Sequence, residues 1–280
     1  MTNPDMNTTS FSELLARVQP DAAPGACSAE ISEDWLQGRS GFGGLMGALA
    51  MTALRKALAE EPGEERPLRA LMTAFVGPAG AGPVSIRCKP LRSGKSVTWA
   101  QVDIAQNDAI CTTVTACLGG DRASAISVAP GRRPQAPAPE DCRLFPFLPG
   151  ITPSFTRHFE LRWASGEMPM SGSDESQMGV WLRFRDAGEI SEAHVVALMD
   201  VLPPAVLQMF KQMKPISSLS WHLQMLDAVS AEDLGAGDGW WFVSVSTDSA
   251  ANGYAQQQAV LYTPAGRALA MSQQAIAVFA

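Results

Sequence analysis

The 280-residue chain is poor in the residues that metal and redox chemistry use. Only 18% of its residues are charged, and three are histidine. It has no HExxH and no CxxC, so neither a structural nor a catalytic zinc site is expected, because zinc is held by clustered ligands at characteristic spacings. Its five cysteines (Cys27, Cys88, Cys111, Cys117 and Cys142) are odd in number and share no pairing motif. Free, mostly buried thiols in a reducing cytoplasm are the expectation. Cationic residues are also short, 21 lysines and arginines against 28 acids, for a net charge of −7. That balance argues against a nucleic-acid partner, which requires a basic face. The one basic pair, Arg132-Arg133, lies in a proline-rich stretch and reads as a solvated loop. No apolar run reaches the roughly 18–20 residues of a membrane span. Residues 1–20 lack a basic start followed by an apolar core, so no signal peptide is expected.

What is present is apolar residue, 46% of the chain, enough for one large domain or two of ordinary size. Residues 1–24 are polar and read as a loose arm with one short helical piece over 11–18. Residues 27–36, "CSAEISEDWL", alternate as a strand. Next, "RSGFGGLMGALAMTALRKAL" opens with three glycines within 41–44 and then runs apolar nearly all round until Arg55. A helix of that kind is wrapped on several sides. Its glycines permit either close helix–sheet packing or close approach of a ligand to bare backbone. Four period-two segments follow, bounded by Gly, Pro, Ser or Asn-Asp, with turns at 93–95 and 107–108 that are not ideal type I′ pairs.

Over 122–150 the periodicity dissolves into a proline-stiffened linker. The pattern then returns: strands, a helical run "SEAHVVALMDVLPPAVLQMFKQM" interrupted at Pro203-Pro204, and four more strands. Strand, helix and four strands thus occur twice, roughly 150 residues apart, an internal repeat of an α+β layer structure.

In the first half, Gly43-Gly44, Pro78, Leu91-Arg92-Ser93-Gly94-Lys95-Ser96 and Gln106-Asn107-Asp108 fall in the order and spacing of one family. The sequence resembles the acyl-CoA thioesterase II-like family, the double hot-dog thioesterases. In the second half, Asp200, Ser218 and Gln274 stand where that family places an Asp, a Thr or Ser, and a Gln. Gln273 adjoins Gln274, but alternation lets only one of them face a site, and distance from the "GRALA" strand start selects Gln274.

The resemblance implies two long helices, each wrapped by a curved antiparallel sheet, with the sheets joined into one. It sets an N-terminal hot-dog at 25–121 and a C-terminal hot-dog at 151–280. It implies hydrolysis of acyl-CoA, with no cofactor and no metal, by a homo-oligomer in the cytoplasm, with neither nucleic acid nor membrane as partner. Asp200 becomes the general base, Ser218 and Gln274 the holders of the water, and Gly43 and Gly44 the amides that meet the substrate oxygen. The phosphates of CoA are expected near Arg87, Lys89, Arg92 or Lys95.

Other chemistry has less support. No cysteine sits in a catalytic motif. His158 and His222 read as structural strand residues, and His194 as a solvated one. Two alternatives stay open: a non-catalytic acyl-CoA-binding paralogue, and an enoyl-thioester hydratase, whose "D-x-N-P-x-H" pattern is absent.

Overall fold

A computed structural model describes residues 8–59, 66–186, 188–235 and 238–279. The first half runs α1 (Phe11–Ala16), β1 (Gln19–Pro20), β2 (Ala26–Ile31), β3 (Leu36–Gln37), β4 (Ser40–Gly41), α2 (Gly43–Ala59), β5 (Leu68–Phe75), β6 (Gly82–Ser93), β7 (Val97–Gln106) and β8 (Ala109–Gly119). The second runs β9 (Arg143–Phe145), β10 (Phe159–Ser165), β11 (Gln177–Phe184), α3 (Glu192–Leu198), β12 (Ile216–Met225), α4 (Ala231–Gly235), β13 (Trp241–Ala251), β14 (Tyr254–Tyr262) and β15 (Ala268–Val278). Thirteen strands form one sheet in the order β1-β2-β6-β7-β8-β5-β12-β15-β14-β13-β11-β10-β9. The halves meet where β5 pairs antiparallel with β12, Ala74 opposite Ser220 and Ala70 opposite Gln224.

Local chemistry explains the strands. On β7, Thr98, Ala100, Val102 and Ile104 point inward and are buried while their neighbours face out. The β7–β8 turn places Asn107 and Asp108 at φ 52° and 63°. Asn and Asp tolerate that left-handed region, and two such residues in succession match the twist of a hairpin. The pair the sequence showed as less than ideal therefore has the conformation of a type I′ turn.

The apolar run of α2 is buried on two sides, by its own sheet and by α3. The helices lie antiparallel: Gly44 meets the Ala197 carbonyl, Gly47 meets Val196, and at the far end Arg55 pairs with Glu192 at 2.7 Å. α3 is shorter, seven residues, and stops ahead of Pro203-Pro204, where the missing N–H groups end the ladder. A 3₁₀ turn, Ala205–Met209, continues the chain over β13 and β11.

Four expectations change. The N-terminal arm is not loose: Phe11, Leu14 and Val18 are core residues, and Phe11 packs 5.0 Å from Trp35. His194 is not solvated but 3% exposed, wedged between Phe11 and Phe184, and burial pushes it down to about 4. The Ser191 N–H donates to its Nδ1, so Nε2 carries the proton and donates to Ser12 Oγ at 3.0 Å, tying α1 to α3. His158 lies in a 3₁₀ turn rather than a strand, stacked on Trp35 at 4.1 Å with Nε2 3.0 Å from Asp34 Oδ2. The 122–150 segment also does more than link. It lays Cys142 and Pro137 on the outer face of the second sheet, where the Trp181 indole donates to the Pro137 carbonyl at 2.9 Å.

The helix contact sets a stability test. A Cβ on Gly44 would lie 2.5 Å from the Phe42 ring and 2.7 Å from the Ala197 carbonyl oxygen, whereas one on Gly120 meets nothing. Gly44→Ala is expected to lower unfolding free energy by about 1–3 kcal/mol, and Gly120→Ala to stay within about 0.5 kcal/mol of wild type. Thermal or denaturant unfolding of the two variants measures the difference.

Candidate active site

Asp200 follows the last turn of α3, its N–H on the Ala197 carbonyl at 3.1 Å. The antiparallel helix pair brings it against the first turn of α2. There the Gly44 backbone N–H donates to its carboxylate, and any Cβ on Gly43 would collide with its Oδ2. Glycine at 43 is therefore what lets a carboxylate sit over the start of α2. The residue is half-buried by exposed area, yet protein crowds the carboxyl from nearly every side, and that crowding governs its titration. Burial drives its pKa well above the ordinary carboxylate value, to about 7, and the bonds from Gln274 and Gly44 offset only part of that rise.

Ser218 and Gln274 reach the same point from adjacent strands. Gln274 Nε2 donates to Ser218 Oγ at 2.8 Å and to Asp200 Oδ1 at 3.2 Å. Gln274 is 6% exposed, whereas Gln273 faces solvent. Ser218 faces inward only because β12 bulges at Leu219: Ser218 pairs with Ile276, but Ser220 already pairs with Ala275. Without the extra residue, the alternation that buries Trp221 and Leu223 would turn Ser218 outward. Since Ser218 Oγ accepts from Gln274, its own O–H is left to donate elsewhere.

Sequence reasoning missed a fourth member, Gln257. It is 7% exposed on β14, directly opposite Gln274. Its Nε2 donates to Gln274 Oε1 at 2.7 Å, and its Oε1 accepts the Ala205 N–H at 3.2 Å. With that oxygen engaged, the Gln274 amide must turn its NH₂ toward Asp200 and Ser218. The available signal was positional: Gln257 shares the buried face of β14 with Ala255, Ala259 and Leu261.

The basic residues considered for CoA stand on β6 or just past it. Arg87 and Lys89 are on β6, which β7, β8 and β5 separate from β12. The Gly41 N–H on Ala79 places the start of β6 near the start of α2. Arg92 is about ten residues further along, roughly 33 Å away at strand rise, and Lys95 lies past the same end. Among the described residues, no three His, Cys, Asp or Glu side chains are grouped to hold a metal ion. No helix among them is long and apolar enough to cross a membrane.

A single helix cradled per half, on one continuous antiparallel sheet, is the double hot-dog architecture, and solved structures share it. A conserved protein with hot dog fold from Alicyclobacillus acidocaldarius superposes with a TM-score of 0.82 at 22% identity, covering 96% of this chain and 98% of that one. A tesB protein from Mycobacterium avium subs paratuberculosis gives 0.75 at 16%, covering 96% and 99%. An acyl-CoA thioesterase II, TesB2, from Mycobacterium marinum gives 0.73 at 16%, covering 96% and 98%. The curated proteins contain no match. Family models for the acyl-CoA thioesterase N-terminal domain and C-terminal domain match residues 31–119 and 139–278. The chain belongs to the acyl-CoA thioesterase family, and it is a thioester hydrolase.

Two outcomes follow from the geometry. Gln257→Leu strands the Gln274 carbonyl and the Ala205 N–H in a buried setting, so unfolding free energy should fall by about 1–3 kcal/mol. Asp200 carries a raised pKa in the folded state, so its stability penalty is absent near pH 4, grows as pH rises toward 7 and is constant above. Asp200→Asn is therefore expected to raise the thermal midpoint at pH 8, with the gain vanishing toward pH 4. Melting curves across that range check the sign.

Proposed function

We propose that this chain cleaves acyl-CoA with a water that enters between Asp200, Ser218 and Gln274, takes the place of the bonds Gln274 Nε2 gives to the other two, and is deprotonated by Asp200. As the water oxygen bonds to the thioester carbonyl carbon, its proton passes to Asp200. The negative charge then moves to the carbonyl oxygen, and it returns as the carbon–sulfur bond breaks. The proton goes on to the departing CoA sulfur. The oxyanion falls to the Gly43 and Gly44 amides at the positive end of a 17-residue helix. The observation that carries this reading is the convergence of one carboxylate, one hydroxyl and one amide, each from a different element. A carboxyl poised near 7 suits a general base at neutral pH. The five free cysteines support a reducing, cytoplasmic setting. Assembly into a homo-oligomer through the sheets is part of the same reading.

Hydrolysis of a panel of acyl-CoA chain lengths, followed by released thiol, tests it. Asp200→Asn should lose about 100-fold or more in kcat, Ser218→Ala should lose less, and Ser218→Thr should stay active. The wild-type rate should rise with pH through about 7 as Asp200 loses its proton, and the residual rate of Asp200→Asn should lack that limb. Loss of less than tenfold on Asp200→Asn rejects Asp200 as the base. Binding of acyl-CoA with no thiol release at any chain length establishes a binding protein instead.

A further inference from the structure

Outward from the β5–β12 seam the sheet reads alike in both directions, β8, β7, β6 on one side and β15, β14, β13 on the other. The seam strands carry the same irregularity at the same place. β5 bulges at Arg69, between Leu68 and Ala70, as β12 bulges at Leu219. A pseudo-twofold axis therefore relates the halves, and the antiparallel α2–α3 pair obeys it.

That axis carries each member of the Asp200 site to a definite residue. Leu68 pairs with Leu118 just before its bulge, as Ser218 pairs with Ile276, so Ser218 maps to Leu68. Leu71 faces Ala116, and Ala116 faces Ala100, as Trp221 faces Gln274 and Gln274 faces Gln257. The serine and both glutamines are thus replaced by Leu68, Ala116 and Ala100. α2 contains no acidic residue to stand where Asp200 stands. The water-holding groups are gone, but the space is not. Between the second half of α2 and the start of α3 lies a cavity of about 740 Å³, with Met51, Ile190, Ala228 and Val229 on its apolar part and Arg55, Lys56 and Ser191 on its polar part. That volume is within the range of small-molecule sites, and its lining is mostly apolar. Of the acids that line it among the described residues, Glu192 is spent on Arg55 and on the Leu68 N–H at 2.8 Å, and Glu189 is solvent-exposed.

We propose that this cavity is a second binding site for the acyl group of an acyl thioester, one that holds it without hydrolysing it. The proposal rests on the reading of the Asp200 site as an acyl-CoA site. It follows from the same framework being kept around a largely apolar space while the serine and both glutamines of the Asp200 site are replaced by Leu68, Ala116 and Ala100. The wild-type chain would be titrated calorimetrically with an acyl-CoA analogue whose thioester is replaced by an uncleavable thioether. Two equivalents per chain are expected. Ala228→Trp, which fills the cavity, should bind one equivalent and keep wild-type hydrolysis at low substrate; Thr52→Phe fills it from the opposite wall should Ala228→Trp fail to fold. One equivalent on wild type, or two remaining on the filled variant, overturns this proposal and leaves the Asp200 site standing. No binding at all, with no thiol release, rejects the acyl-CoA reading itself.

Discussion

The close approach of α2 to α3 is the constraint on which the molecule depends. Glycines at 44 and 47 let the helices close until α2 meets the Ala197 carbonyl and the Val196 side chain. Only at that distance does the end of one helix meet the start of the other, so that Gly43 and Gly44 lie against Asp200. The carboxyl is thereby desolvated and given a backbone N–H at once, two effects of opposite sign on its charge, of which desolvation prevails. The helix pair also fixes where the two sheets can join, because each sheet must curve round its own helix before β5 reaches β12.

Across the inner face of the second sheet, Ser218, Gln274 and Gln257 form a hydrogen-bonded polar row bordered by apolar side chains and the buried Ser272. It divides the main core from a small cluster of Val206, Ala255, Ile276 and Val278. Such a row is tolerated because it is satisfied internally: Gln257 and Gln274 use each other, Ala205, Ser218 and Asp200. One inserted residue, Leu219, gives the row its hydroxyl.

The first half retains the same bulge and the same strand order but keeps Leu68, Ala116 and Ala100 at the matching positions. Those residues seal a core, and the repeat therefore supports the fold twice and the Asp200 constellation once. The divergence is chemical rather than architectural, since the register is unchanged and only the side chains differ.

The strands, the long helix and the repeat were legible because each is a local pattern, period two or period 3.6 ended by turn residues. That only one of Gln273 and Gln274 faces inward was legible for the same reason, as alternation decides a face within one strand; distance from the strand start picked out Gln274, and it is the buried one. Asp200 and Ser218 were recognisable only through resemblance, since a single Asp or Ser has no distinguishing local pattern. Gln257, the burial of His194 and the docking of Phe11 were not legible, because each depends on what another segment places opposite it. The chain by itself therefore determined its elements, their order and the two-copy plan, all of which follow from neighbouring residues. The tertiary structure decided which groups meet at Asp200, how far its carboxyl is desolvated and which way Ser218 points, because those depend on packing and pairing between segments remote in sequence.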